Sequence, residues 1–267
     1  MKLTTKIQFC FPEAKSKTKE EFITLIMRPI RSDGDSGYAG FEKKKELTEY
    51  LSEKYVKKNL SVYQMLSPKV ESDIEKNIIE TVKKCQKLLG SSAQPISVFV
   101  FPWFQEKNDT AFDGVNGFAP YENTIHLFID IRKFTFESLR ETVAHELNHA
   151  TFFHFNHEEQ TLLDTMIFEG FAEHFREAVV GGKISAWAGA LSEKKAKDLF
   201  TKLKPTLLSK DFSLYREVFL LGKKYPRWTG YSIGYRIVGL YLKSHKEIKW
   251  QDIIKMAPVA IFSESGY

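Results

Sequence analysis

The chain has 267 residues, of which 43% are apolar and 27% charged, enough apolar material for one large domain or two small ones. No window holds the ~18 uninterrupted apolar residues of a spanning helix, and mean hydropathy is slightly negative, which argues against a helical membrane protein. Formal charge is 39 − 34 = +5. The lysine pairs, such as Lys57-Lys58 and Lys194-Lys195, are scattered among Glu and Asp. That pattern describes solvated helix faces, not the basic stripe of a nucleic-acid binder. Neither a nucleic acid nor a membrane is expected as a partner.

Taken in chain order, the N-terminus turns polar at Glu13 and Lys15 and has no signal-peptide core. Cys10 and Cys85 make no CxxC and cannot form a disulfide framework. They read as ordinary thiols in a reducing, cytoplasmic compartment. Residues 31–37 read as a mobile loop. Leu47, Tyr50, Leu51 and Tyr55 recur at helical steps and predict a helix within 41–56. A second helix is expected over 67–89, with an apolar face of Ile74, Ile78, Ile79 and Val82 and a stop at Gly90. The β-branched and aromatic run 96–101, bounded by Pro95 and Pro102, predicts a strand. The segment 112–118, with Gly114 and Gly117, reads as an irregular strand, and 124–131 as a buried one. Thr135 is the expected N-cap of a helix running through Phe152. From Asp164 onward the pattern is again mostly helical, broken at Gly181-Gly182. The order predicts an α+β fold, mostly helical, with a small mixed sheet. Residues 1–94 are expected to form a helical region of the same domain, and 95–267 the region that carries the chemistry. The N-terminal helices read equally as lid, inhibitory element or scaffold.

The informative segment is Glu141-Thr-Val-Ala-His145-Glu146-Leu-Asn-His149-Ala-Thr. On a helix, His145 and His149 share a face one turn apart and can reach one ion. Glu146 follows the first histidine, where it can take a proton from an attacking water instead of binding metal. A catalytic zinc needs a third protein ligand and an open position. His154 and His157 lack the spacing and the glycine turn of a three-histidine site. The better candidate is Glu169, in Phe168-Glu169-Gly170-Phe171-Ala172-Glu173, 20 positions after His149. Glu173 lies one turn on and can accept the N–H of a ligand imidazole. Phe168, Phe171, Ala172 and Phe175 suit a buried helix. Gly170 and Ala172 are small enough to let this helix and the HExxH helix approach closely.

HELNH, the downstream EGFAE and the later Gly230-Tyr231-Ser-Ile-Gly234-Tyr235-Arg236 together resemble one bacterial family. It is catalogued as a domain of unknown function, is described as zinc-dependent proteases, and carries the gluzincin (thermolysin-like) metal pattern. The resemblance covers roughly residue 95 to the C-terminus. It implies a zincin-like fold, a small sheet packed on an active-site helix and a glutamate helix. It implies Zn2+ held by His145, His149 and Glu169, Glu146 as general base, and Glu173 as the acidic partner of a ligand. It implies an edge strand that aligns a peptide substrate by main-chain pairing, matched here by Asn116, Gly117, Phe118 and Ala119. It implies a phenol at the oxyanion, with Tyr231 the first choice and Tyr235 the second. Arg236 reads either as a substrate-carboxylate ligand or as the partner of a buried acid. The stretch around Tyr231 also reads as a plain packing helix. The expected function is zinc-dependent peptide-bond hydrolysis on a peptide or protein substrate. The alternatives are a non-hydrolytic zinc module that binds peptide or protein, and a metal-free helical interaction protein.

Overall fold

The strands expected in the middle of the chain form, and they gain a partner that the sequence hides. The computed structural model describes residues 5–11, 18–30, 44–90, 95–107, 112–155 and 161–267. The chain divides into two compact units, Met1–His154 and Phe155–Tyr267. The loop expected at 31–37 and the candidate His157 lie outside the described residues. Among the described residues no helix is long and apolar enough to cross a membrane.

The first unit is built on a four-stranded mixed sheet. Its strands are β1 (Thr5–Phe9), β2 (Ile96–Pro102), β3 (Val115–Tyr121) and β4 (Thr124–Ile129), in the order β1-β2-β4-β3. β1 and β4 run parallel to β2, and β3 returns antiparallel to β4 as a hairpin. Asn123 turns that hairpin at φ 55, in the left-handed region that asparagine tolerates. Every residue of β4 is buried, as befits a strand covered on both faces. Side chains alternate along each strand. Val98, Val100, Ile125, Leu127 and Ile129 therefore share one face, with Gly117 opposite Leu127. Phe99, Phe101, His126 and Phe128 share the other, with Asn116 opposite Phe128.

The helices of this unit are α1 (Lys19–Met27), α2 (Lys44–Tyr55), α3 (Pro68–Leu89) and α4 (Phe136–Phe155). α2 buries Leu47, Leu51 and Tyr55. Tyr55 stacks on Phe128, ring centroids 3.6 Å apart, which sets the end of α2 on the aromatic face of the sheet. α3 starts at Ser67, whose side chain accepts from the Val70 N–H, and it ends at Gly90, as expected. α4 starts at Thr135, whose Oγ1 accepts from Ser138 N at 3.0 Å while Thr135 N donates back to Ser138 Oγ at 3.2 Å. This is a capping box closed by serine.

Three contacts lay α4 along the β3 hairpin. Ser138 Oγ donates to the Asp113 carbonyl at 2.8 Å. Glu146 lies against Gly117. The Asn123 N–H donates to the Ala150 carbonyl at 3.2 Å. Numbers rise together on both partners, so helix and β3 run in the same direction. The middle contact is the tightest: a Cβ on Gly117 would stand 2.3 Å from Cγ of Glu146 and 2.6 Å from its Oε1.

The second unit is helical: α5 (Leu162–Val180), α6 (Glu193–Leu203), α7 (Phe212–Arg216), α8 (Thr229–Ser244), α9 (Trp250–Ile253) and α10 (Pro258–Ser265). α5 opens on a capping box between Thr161 and Asp164 and stops at Gly181, so the break expected at Gly181-Gly182 is present. α8 presses directly on α5. A Cβ on Gly234 would stand 1.8 Å from the Met166 carbonyl oxygen, and one on Gly170 would stand 2.3 Å from the backbone of Gly234. Gly170 therefore makes room for α8.

Two measurements test this packing. Gly117→Ala forces a methyl into the space of Glu146, and denaturant unfolding of the variant should show a loss of about 1–3 kcal/mol; an unchanged midpoint would contradict the close approach. His126 is fully buried beside the rings of Phe99, Phe101 and Phe118, and neither ring nitrogen has a hydrogen-bond partner among the described residues. Burial pushes its pKa down to about 3 from the ordinary 6.5. Below pH 6.5 the unfolded chain therefore takes up a proton that the folded chain refuses. Stability falls as pH drops from about 6.5 toward 3. In His126→Phe, the decline of the melting temperature between pH 7 and pH 4 should be shallower than in the parent; parallel curves would refute the assignment.

Candidate metal centre

The HExxH segment spans little more than one turn of α4, with Val143, Ala144 and Leu147 buried as its anchor. The i, i+4 spacing brings Nε2 of His145 to 2.9 Å from Nε2 of His149, with the rings at 89° to each other. Two imidazoles set in this way present nitrogens of the same kind to one point, the arrangement that a shared cation requires. Glu146 is buried and pressed on Gly117, so its carboxylate is held in place by main chain instead of swinging in solvent. His154 stands at the exposed end of α4 and pairs with Glu122 at 2.8 Å, a helix-end histidine as the sequence suggested.

The expected substrate strand, Asn116 to Ala119, is the central part of β3, the last strand in the sheet order. Gly117 touches Glu146, while Phe118 lies on the opposite face, beside His126. The sequence did not reveal that α2 reaches this strand. Tyr55 donates to Oδ1 of Asn116 at 2.8 Å, and Lys54 Nζ lies 5.1 Å from the centre of the Tyr55 ring. Burial raises the Tyr55 phenol above its ordinary range, the Lys54 ammonium works against the rise, and the Glu146 carboxylate adds to it. The group stays a phenol, a hydrogen-bond donor, throughout the working pH range. No local pattern marked this contact, because it joins residues 61 positions apart.

In the second unit, α5 buries Phe168, Phe171, Ala172 and Phe175, the buried helix that the aromatic residues predicted. Glu173, one turn beyond Glu169, is 1% exposed. Its Oε1 accepts from Trp187 Nε1 at 2.8 Å and its Oε2 from the Arg176 guanidinium at 3.3 Å. Arg176 also donates to the Lys183 carbonyl at 3.0 Å. Trp187 and Arg176 are site residues that sequence reasoning missed. A buried carboxylate three residues before an arginine was the available signal. Tyr231 is half-buried on α8, its ring edge-on to Phe219. Tyr235 donates to the Glu177 carboxylate at 3.1 Å and stacks on His174. Burial, then the Glu177 charge, push its phenol up to about 12. Arg236 donates to the Leu191 carbonyl at 2.6 Å, a backbone contact that neither of its expected readings included. The stretch 230–236 is thus a packing helix at Gly230 and Gly234, where added side chains would meet Phe219 and Met166.

His145, His149 and Glu169 form a group that could hold a metal ion, each offering one ligand atom, with those atoms within 4.8 Å of one another. Two imidazole nitrogens and one carboxylate oxygen are a donor set that suits zinc with a position left for water.

The model of a family described as "Predicted Zn-dependent protease (DUF2268)" matches residues 74–263. The match begins within α3, upstream of where the sequence resemblance starts. No curated protein and no solved structure matches the chain. With most of its length matched, the chain belongs to the DUF2268 family of predicted Zn-dependent proteases.

Proposed function

We propose that the protein is a zinc-dependent peptide-bond hydrolase of the gluzincin kind. The observation that carries this reading is Glu146. It sits one residue from an imidazole pair whose Nε2 atoms are 2.9 Å apart, and it is fixed against the strand β3. His145, His149 and Glu169 hold the zinc. When bound, zinc acidifies water toward pKa ~7 and polarises a carbonyl oxygen. Glu146 accepts the proton of the attacking water and returns it to the departing amine. The outer edge of β3, at Asn116 to Ala119, pairs with the substrate main chain, which its terminal place in the sheet order supports. Tyr231 steadies the oxyanion. Tyr235, the second choice, donates its hydroxyl to the Glu177 carboxylate. Arg236, bonded to the Leu191 carbonyl, serves the fold of α8 and its neighbouring loop. Glu173, clamped by Trp187 and Arg176, keeps its charge in place on the helix that carries Glu169. Cys10 and Cys85, both buried free thiols, suit a reducing, cytoplasmic compartment.

Glu146→Gln should retain zinc and lose peptide hydrolysis by about 10²–10⁴-fold. Parent-level hydrolysis with zinc retained would refute the role of the base. Peptide binding by the parent without any cleavage would favour the non-hydrolytic binding module. Glu169→Ala, followed by dialysis against a weak chelator and elemental analysis, should fall from one zinc per chain to a small fraction. Full zinc retention would remove Glu169 from the ligand set.

A further inference from the structure

A long-range contact in the first unit gives the N-terminal helix α2 a part in the site. Tyr55, its last residue, donates to Oδ1 of Asn116 at 2.8 Å in a buried pair. The ring cannot carry its hydroxyl elsewhere. It stacks on Phe128 with 6° between the planes and meets the edge of Trp103 at 6.0 Å. Phe128 is the residue that pairs with Asn116 across β3 and β4, so ring, strand pair and amide form one block. The other end of the amide is different. Nδ2 of Asn116 is buried and has no hydrogen-bond partner among the described residues, on a side chain only 6% exposed. A buried donor left unmade is costly, so such a group calls for an explanation. Asn116 stands on the aromatic face of the last strand in the sheet order, while its neighbour Gly117 meets Glu146 on the other face of that strand.

We infer that Tyr55 is a positioning residue for peptide binding: by fixing Oδ1 of Asn116 it holds Nδ2 ready to donate to a main-chain carbonyl of a peptide laid along β3. The inference rests on the hydrolase reading for its substrate class. A donor oriented beforehand spares the complex the ordering of a free amide. In Tyr55→Phe the stacked ring remains, only the hydroxyl is lost, and the amide is released to turn. The bond supports substrate before and during reaction alike, so its loss acts on binding and not on turnover.

The test uses fluorescein-labelled casein, an unfolded polypeptide, with zinc-loaded protein. KM and kcat are measured for the parent and Tyr55→Phe, and Kd by anisotropy for Glu146→Gln with and without Tyr55→Phe. KM and Kd should each rise about five- to tenfold, the weight of one lost hydrogen bond, with kcat within about twofold. In an Asn116→Ala background, Tyr55→Phe should add nothing further. Unchanged KM and Kd, or an equal Tyr55→Phe effect without Asn116, would overturn the assignment and leave the phenol a purely structural group. A parent that binds casein and never cleaves it sinks the hydrolase reading, while the Kd comparison still decides Tyr55. A parent that neither binds nor cleaves it overturns both.

Discussion

A side chain at residue 117 would meet the side chain of Glu146, and much of the first unit follows from its absence. With glycine there, the HExxH helix lies directly on the last strand of the sheet, and the carboxylate of Glu146 rests on strand backbone. The contact is held from both sides, by the Ser138–Asp113 bond toward one end of the helix and the Asn123–Ala150 bond toward the other. A helix fixed at three points cannot roll. His145 and His149, one turn apart, therefore keep their nitrogens aimed together, and Glu146 stays beside the last strand of the sheet order. One missing methyl thus links the geometry of the imidazole pair to that of the sheet's last strand.

The second unit solves a similar problem by similar means. The crossing of α5 and α8 is built on glycines, with Gly170 and Gly234 each filling space that any Cβ would need. The approach fixes the rotation of α5, on which Glu169 and Glu173 share a face one turn apart. Glu173 is buried, and a buried carboxylate demands partners. Trp187 and Arg176 supply them, which sets the charge and orientation of that helical face.

What the sequence revealed was what is local. The i, i+4 histidines, the Thr135 cap, the Pro-bounded strand at 96–101 and the stop at Gly90 each announce themselves within a few residues, and each stands where it was expected. β1 did not, because Lys6 and Gln8 interrupt a five-residue strand whose existence depends on pairing with β2 more than ninety positions away. Gly117 was legible as a glycine of an irregular strand and, through the resemblance, as part of a substrate strand; that Glu146 of a later helix rests on it was not. Gly170 was read as the residue that lets the glutamate helix approach the HExxH helix; the helix that stands against it is α8. The contact of Tyr55 with Asn116 had no sequence signature, since a helix reading of 41–56 explains Tyr55 fully as an apolar-face residue. Packing partners far apart in sequence follow from the fold, and no window of residues contains them.

The central claim is that two imidazoles and one carboxylate bind a single zinc ion with no sulfur in its shell. X-ray absorption at the zinc edge of the purified, metal-loaded protein reads that shell directly. The account predicts only nitrogen and oxygen scatterers at about 2.0–2.2 Å with an imidazole signature of two rings. A sulfur shell near ~2.3 Å, or a spectrum without imidazole scattering, would contradict it.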